Sequence, residues 1–408
     1  MFGIGKLFRK ASKTTESGGF ANNRPVWNMG RKFKSYADEG FEKNVVVYRG
    51  IDKTAKAVAS IPIYAKSVRG KRDDKSDLAK LIQKPNLMQT GSDLMEQIAG
   101  FYMLAGNSYL EKTMLSDSRV GELYCLRPDR MSIKPGSTGI PKTYQFAVAN
   151  EEPVFFPVDE IRGYSDILHM KQFNPTNDWY GLSPLSAGAF AVDQHNETMQ
   201  AMQSMLANGM VPSGALKTNE ELSDPAYKRL KEQMQEKSGS RNSGKTLLLE
   251  NGVTWEQMGV SPDNMMMIET KYSSARDIAL ALGVPPLLLN IPGDATYSNY
   301  KEARLAHYEE TVIPLAEYII DSMNRWLAPY FGGQTLALDL DRIPAIYEKR
   351  LTLWDMANKS NDLTINERRK IKGYPPVEGG DTVFVGSGQV PISFADDGLP
   401  GEGEVTEE

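Results

Sequence analysis

Residues 183–209 read SPLSAGAFAVDQHNETMQAMQSMLANG, and the architecture turns on them. Ser183 is a natural N-cap, and Pro184 suits the first helical position, where its missing N–H costs nothing. Leu185, Ala189, Val192, Met199, Met202 and Leu206 then fall on roughly one side. Asn208-Gly209 closes the helix. About 25 residues at 1.5 Å each make a rod of roughly 37 Å. Downstream, Ser261-Pro262 repeats the start signal for a second rod, ended near Leu282 by Gly283 and Pro285-Pro286. A compact insert separates the two rods. It holds a strand near Gly214–Lys217, a charged helix from Asp224-Pro225 to Lys237, and a strand Thr246–Glu250. The hairpin signal Asn251-Gly252 then leads into Val253–Gln257.

Beyond the second rod, Asn290 to Tyr297 is a loop by its Pro and Gly content. A third long helix follows from about Ser298 to Leu327. Leu305, Tyr308, Val312, Leu315, Ile319, Met323 and Trp326 form one continuous stripe along it. Pro314 interrupts its middle, removing a backbone hydrogen bond and crowding the carbonyl of residue 310, so a kink is expected there. A strand (Leu336–Leu340) and helices at Pro344–Met356 and Thr364–Lys372 precede the tail. Residues 396–408 carry six acids and no base and are expected to be disordered.

Upstream of the first rod, Val45–Tyr64 has helical periodicity in Val47, Ile51, Ala55, Val58 and Ile61. A helix over Gly91–Leu104 should stop at Gly106-Asn107. Ser108–Met114, Gly121–Leu126, Met131–Ile133, Tyr144–Val148, Pro153–Phe156 and Asp166–Lys171 read as short strands. The fold class is therefore α+β. Residues 1–43 are rich in Lys and Arg and punctuated by Gly18-Gly19 and Asn22-Asn23. They read as a flexible basic arm, either a simple chain end or a segment that docks on a neighbouring subunit. Met1 to Lys10 is basic and slightly amphipathic but lacks the apolar core of a signal peptide.

The 408 residues suggest two or three domains, and 24% charged residues exclude a membrane-embedded chain. The stretch Ile278–Ile291 is too short to cross a bilayer and contains Gly283, Pro285 and Pro286. Against 52 Asp+Glu stand 47 Lys+Arg, a net charge of −5, which argues against a broad cationic face coating nucleic acid. A single cysteine, Cys125, excludes an intrachain disulfide and a multi-thiolate metal site.

Gly239 to Thr246 fits the phosphate-binding pattern G-x-x-x-x-G-K-[ST]. That pattern works when a strand enters the loop and a helix leaves it, so that N–H groups and the helix dipole meet the phosphates. Here a charged helix enters and a strand leaves, so the string reads as a basic hairpin tip. Cys125 sits in an apolar strand context and reads as packing. Gly181-Leu182-Ser183 resembles a nucleophile elbow only loosely, because Pro184 follows the serine. His169, His195 and His307 have no ligand spacing. Met199, Met202, Met205 and the run 265–267 read as adaptable packing surfaces, as between subunits. No cofactor, metal or catalytic residue is expected.

Eight passages carry a resemblance when taken in order. They are Val47 to Asp52 with Ala57 to Pro62, Lys84-Pro85-Asn86 with Gln89-Thr90, and Ala105-Gly106-Asn107-Ser108-Tyr109. Leu126 to Met131, Tyr180 to Leu185 and Leu282 to Leu288 follow, then Asn366-Glu367-Arg368-Arg369 and Gly373 to Asp381. Over roughly residues 40–390 the chain resembles the phage portal proteins of the long-tailed phage and gene-transfer-agent type.

The resemblance implies a ring, normally of twelve subunits, at one capsid vertex, through which double-stranded DNA is packaged and ejected. It implies a wing (44–183), a first stem helix (184–209), a clip (210–260) and a second stem helix (261–284). A tunnel-loop region (285–298), a kinked helix with wing return (299–343), a reduced helical crown (344–382) and an acidic disordered tail (383–408) complete the chain. Pro292, Gly293, Asp294, Ala295, Thr296 and Tyr297 would be the DNA-facing tunnel loop. Arg241, Asn242 and Lys245 at the clip would face the terminase, and Pro314 would be the kink. Expected partners are copies of the same chain, DNA, the terminase large subunit, the capsid protein and a head-completion adaptor, with no membrane. The virion is the expected location, after assembly in the host cytoplasm. The rival reading is an NTP-hydrolysing packaging component built on residues 239–246.

Charge is consistent with the conduit. Neutralising 6–10 phosphates changes affinity by about 10³–10⁵ over a modest salt range, a grip that opposes sliding. An acidic subunit repeated around a ring makes a mildly repulsive wall, to which Asp294 would add a ring of charge.

Overall fold

The computed structural model describes residues 36–116, 119–136, 139–207, 214–218, 223–237, 252–257, 266–293, 297–360, 362–385 and 390–391. They divide into two units, the first ending at Leu338 and the second beginning at Asp339.

The first unit opens with a π-helical turn, Tyr36–Glu42. The end of the expected arm is thus folded. Gly40 is buried, and a Cβ there would lie 3.5 Å from Leu185. The Phe41 ring sits 5.0 Å from that of Tyr48, and Asn196 donates to the Glu39 carbonyl at 2.9 Å. Helix α1 (Val45–Ala59) follows, capped by Asn44, whose Oδ1 accepts from Val46 and Val47. Its buried stripe of Val47, Ile51, Ala55 and Val58 matches the expected periodicity. The helix ends before the expected Tyr64, because Pro62 disfavours helical geometry at Ile61. The chain instead forms strand β1 (Ile63–Lys66).

Helix α2 (Asp77–Gln83) is capped by Ser76. Helix α3 (Gly91–Ala105) packs along α1, starts in a Thr90–Asp93 capping box and ends at Gly106 with φ 69°. Strand β2 (Asn107–Ser116) is the centre of an antiparallel sheet between β3 (Arg119–Leu126) and a later edge strand. A second antiparallel sheet follows from β4 (Met131–Pro135), β5 (Pro141–Phe146) and β6 (Val154–Pro157). Strand β7 (Ile167–Lys171) then completes the first sheet, pairing Tyr109 with His169. Tyr109, Met131, Ile133, Tyr144, Ile167, Trp179 and Tyr180 form a core shared by both sheets.

The rods come next. Helices α4 (Pro184–Ala187) and α5 (Ala189–Ala207) meet at Gly188, and strand β8 (Gly214–Lys217) follows. Helix α6 (Asp224–Lys237), strand β9 (Thr254–Gln257) and helix α7 (Met267–Ala281) lead to α8 (Tyr297–His307). A π-helical turn, Tyr308–Val312, separates α8 from α9 (Ile313–Leu327), and β10 (Thr335–Leu338) pairs antiparallel with β1. Helix α9 is bound to the first sheet through the indole of Trp326, which donates to the Ser165 carbonyl at 2.9 Å. Lys112, with 2% side-chain exposure, donates to that same carbonyl, pairs with Asp166 at 3.3 Å and lies over the rings of Trp326 and Tyr330. A buried lysine persists because carboxylate, carbonyl and two aromatic faces replace its water.

In the second unit, α10 (Pro344–Lys359) is followed by α11 (Ile365–Ile371), which starts in a Thr364–Glu367 capping box. Asn366 closes the segment: its amide donates to Val377 and Asp381 and its oxygen accepts from the Val377 N–H. The short strands β11 (Phe384–Val385) and β12 (Val390–Pro391) pair antiparallel.

Two glycines in α3 and at its end give opposite expectations. At Gly106 a Cβ would lie 2.4 Å from the Leu182 backbone, in a left-handed conformation. Gly106→Ala should therefore cost roughly 2–4 kcal/mol. Gly100 is helical with nothing within 4 Å of an added Cβ. Gly100→Ala should stabilise by about 0.5–1 kcal/mol. Urea unfolding midpoints measured side by side check both signs.

Candidate channel-forming elements

The junction that launches the first rod is built on a buried amide. Asn107 Oδ1 accepts from the Gly181 N–H at 2.8 Å and from His169 Nε2 at 2.9 Å. Its Nδ2 donates to the carbonyls of Ala105 at 2.9 Å and Gly181 at 3.1 Å. Ser183, one turn on, caps α4 through Leu185 N and donates its hydroxyl to Leu104 O at 2.7 Å. A Cβ on Gly181 would lie 2.1 Å from Gly106 O, so neither glycine admits a side chain where the two backbones touch. His169 stacks on Tyr109 at 4.3 Å. Burial, with Lys171 nearby, pushes its pKa down to about 3.

The expected first rod, 184–209, is therefore two helical pieces over the described residues up to Ala207. Gly188 is their joint: a Cβ there would lie 2.9 Å from Ala281 Cβ, and the close approach of α7 selects glycine. The start of α5 thus meets the end of α7. Further along, the ammonium of Lys271 acts on His195, so the two rods run antiparallel. Helix α7 begins at Met267, after Met266 in the left-handed conformation (φ 46°), later than Ser261-Pro262 implies. Residues 261 and 262 lie outside the described residues. Strands β8 and β9, which lie between the two rods in sequence together with α6, pair antiparallel.

A second asparagine fastens α5 to the rest. One N–H of Asn44 Nδ2 goes to Asn196 Oδ1 at 2.9 Å and the other to His195 Nδ1 at 3.1 Å. Because Asn44 Oδ1 already caps α1, its amide can only donate toward His195, whose Nδ1 must then carry a lone pair and the ring be neutral. Burial and then Lys271 lower the His195 pKa, in agreement.

At the other end of α7, Gly283 turns the chain with φ 65°, and Thr311 in the second π-helical turn donates to its carbonyl at 2.7 Å. Pro286–Leu289 forms a 3₁₀ turn, and Asn290 is left-handed at φ 56°. Arg276 on α7 donates to the Pro292 carbonyl. Pro292 and Gly293 are exposed, and Tyr297 opens α8. Asp294, Ala295 and Thr296 lie outside the described residues, as do Arg241, Asn242, Lys245 and the whole 239–246 string.

Pro314 lies in the first turn of α9, where no N–H is needed. The irregularity sits one turn earlier: the Ile313 N–H donates to Tyr308 O, five residues back, giving the π-helical turn. His307, just before it, is buried, and burial pushes its pKa down to about 4 although the Gly283 backbone acts in the opposite direction.

Both rods expose large apolar side chains among polar ones. Phe190 is 80% and Leu280 78% exposed, beside the Gly188–Ala281 crossing, and Met199, Leu206, Ile268 and Tyr272 are also exposed. Cys125 is a packing residue: burial pushes its thiol up to about 12, and its Sγ lies 3.8 Å from Ser108 Oγ. Among the described residues no group of three or more His, Cys, Asp and Glu could hold a metal ion, and no helix is long and apolar enough to cross a membrane.

The described residues thus give a sheet-and-helix body, two antiparallel rods and a third helix interrupted by a π-helical turn. The family model described as phage portal protein matches residues 45–373. The chain belongs to the phage portal protein family. A chain in the neck of a native GTA particle computed with C12 symmetry is 37% identical, with TM-score 0.68, over 88% of this chain and 97% of that one. An uncharacterized protein of Rickettsia bellii (strain RML369-C) is 39% identical over 85% of this chain and 90% of its own length. The portal protein of Enterobacteria phage HK97 is 24% identical over 80% of this chain and 76% of its own. The HK97 family phage portal protein from Corynebacterium diphtheriae shares the fold at 18% identity and TM-score 0.55, over 78% of this chain and all of that one. The portal-type α+β fold expected from the sequence is thus the observed one.

Sequence reasoning passed over Asn44, Asn107 and Lys112. Asn107 was visible only as part of a helix stop and of a passage quoted for the family resemblance. Its partners at 169 and 181 are fixed by the tertiary fold.

All three histidines have pKa values below the ordinary 6.5. The unfolded chain therefore takes up protons first as pH falls, and stability present above about pH 6.5 is lost as pH drops toward about 3. Urea midpoints should fall across that window. The slope should flatten in His307→Phe, which removes a buried titrating ring.

Proposed function

We propose that copies of this chain close into a ring at one capsid vertex, with the rods lining a passage for packaging and ejecting double-stranded DNA. The observation that carries the reading is the antiparallel rod pair with large apolar side chains exposed on both rods, in a chain that matches a C12 neck component over 88% of its length. Side-by-side rods bury Phe190 and Leu280 against the next copy, which an isolated subunit leaves in water. We assign 44–183 to the wing, 184–209 and 261–284 to the stem and 210–260 to the clip. The loop 285–298 lies toward the DNA, 299–343 returns through the wing, and 344–382 forms the crown. Arg241, Asn242 and Lys245 at the clip face the terminase large subunit, which supplies the ATPase. The capsid protein and a head-completion adaptor are the remaining partners, in a virion assembled in the host cytoplasm.

Negative-stain images of the purified full chain should show rings with a central hole, and sheets or hole-free tubes overturn the reading. Phe190→Asp should lower the ring fraction at least tenfold while leaving the urea midpoint nearly unchanged, since that ring is exposed in the single chain. ATP hydrolysis by the purified protein, lost in Lys245→Ala, would instead establish the rival packaging NTPase.

A further inference from the structure

Residues 1–35, outside the described residues, hold eight bases (Lys6, Arg9, Lys10, Lys13, Arg24, Arg31, Lys32, Lys34) against one acid, Glu16. Within Met1–Lys13, Ile4, Leu7, Phe8 and Ala11 recur at i, i+3, i+4 and i+7. Lys6, Arg9, Lys10 and Lys13 repeat the same spacing, offset by two residues. Apolar and basic side chains so spaced occupy opposite faces of a helix.

The folded body carries a matching groove of about 690 Å³ between the first π-helical turn, α1 and α3. Phe41, Ile51, Ala55 and Phe101 lie along it, and Met88 stands at its lip with 87% of its surface exposed. Glu42, Asp93 and Glu96 also line it. The Asp93 carboxyl is held below the usual carboxylate range by its backbone and side-chain hydrogen bonds from Thr90, so it stays charged. Arg127, the one base among the described residues of the lining, is engaged through two hydrogen bonds by Asp129. The groove therefore offers apolar contact with a net acidic border, complementary to Met1–Lys13.

We propose that the groove between α1 and α3 is the docking site for residues Met1–Lys13 of the neighbouring copy of this chain. Ala37, Phe41 and Glu42 already supply one wall, so a subunit's own arm starts at the rim of its own groove. The 22 residues from 14 to 35 span up to roughly 75 Å when extended, enough to cross to an adjacent copy. Such an exchange threads each subunit to the next and explains why an amphipathic basic segment is tethered to an acidic body. The choice of a neighbouring donor rests on the ring reading above.

Paired cysteines in the full chain test it, with Cys125 left in place because its buried thiol is held protonated. Ala11→Cys with Met88→Cys, oxidised with copper phenanthroline, should give a ladder of multiples of the subunit mass on a non-reducing gel. Ala11→Cys with the exposed Val68→Cys should give at least tenfold less. Adding Glu42→Lys and Glu96→Lys should cut the ladder at least tenfold. No cross-link, a cross-link confined to single chains, or a ladder indifferent to the charge reversal overturns the docking. Rings imaged in that same preparation without a ladder overturn the docking alone, whereas absence of both rings and ladder overturns the ring reading as well.

Discussion

The fold depends first on the saturated amide of Asn107. Four hydrogen bonds tie the end of α3, the first residue of the central strand, the edge strand and the approach to the first rod into one buried knot. Each polar group left unpaired at such a depth costs about 1–3 kcal/mol, so the knot holds as a unit or fails as one. It forms only because Gly106 and Gly181 let two backbones touch. The direction of the first rod is thereby set by the body's core. A stem whose aim came from its own exposed helix contacts would wander relative to the body, and copies could not close a ring of uniform diameter.

The second rod is anchored by different means. Its last turn packs Leu282 against Gly50 of α1, and its exit at Gly283 is held by Thr311 from the second π-helical turn. A π-helical turn widens the hydrogen-bonding cycle by one residue and frees local geometry that an α-helix fixes. Placing it immediately before Pro314 is economical, since proline already denies the preceding turn one donor. The two ends of the loop from Asn290 to Tyr297 are therefore unequal. One is tied to α7 through Arg276, and the other runs into a helix whose continuation is irregular.

What could be read from the sequence was what local chemistry dictates. Ser183-Pro184 and Gly106 announced helix ends, because caps and left-handed turns act within a few residues. Turn residues between short runs marked the six strands β2 to β7. The pairing of Ile63–Lys66 with Thr335–Leu338 was not legible, since Thr335–Leu338 lies some 270 residues away and no short-range pattern records a partner. The folded turn at Tyr36–Glu42 was hidden by the basic composition of the segment before it, and its stability comes from Tyr48, Leu185 and Asn196 on other elements. The rods were legible as rods, but their antiparallel contact at Gly188 and Ala281 was not, because a glycine inside a helical pattern signals weakness until its neighbour is known. Most of the expected DNA-facing and clip residues lie outside the described residues, so that site stays an expectation drawn from resemblance.

Charge gives these parts a common logic. The whole chain carries −5, and residues 1–35 carry seven net positive charges, so the remaining residues carry −12. Six of those charges fall in residues 396–408, which leaves −6 on residues 36–395. In the proposed ring, twelve bodies of that charge surround DNA with a mildly repulsive wall, which favours sliding over binding. A free arm of seven positive charges per subunit would have the opposite effect, because each neutralised phosphate adds to the salt-dependent grip. An acidic groove on the body resolves the conflict. It takes up the basic segment, keeps it from the duplex, and turns the same attraction into a link between neighbouring subunits.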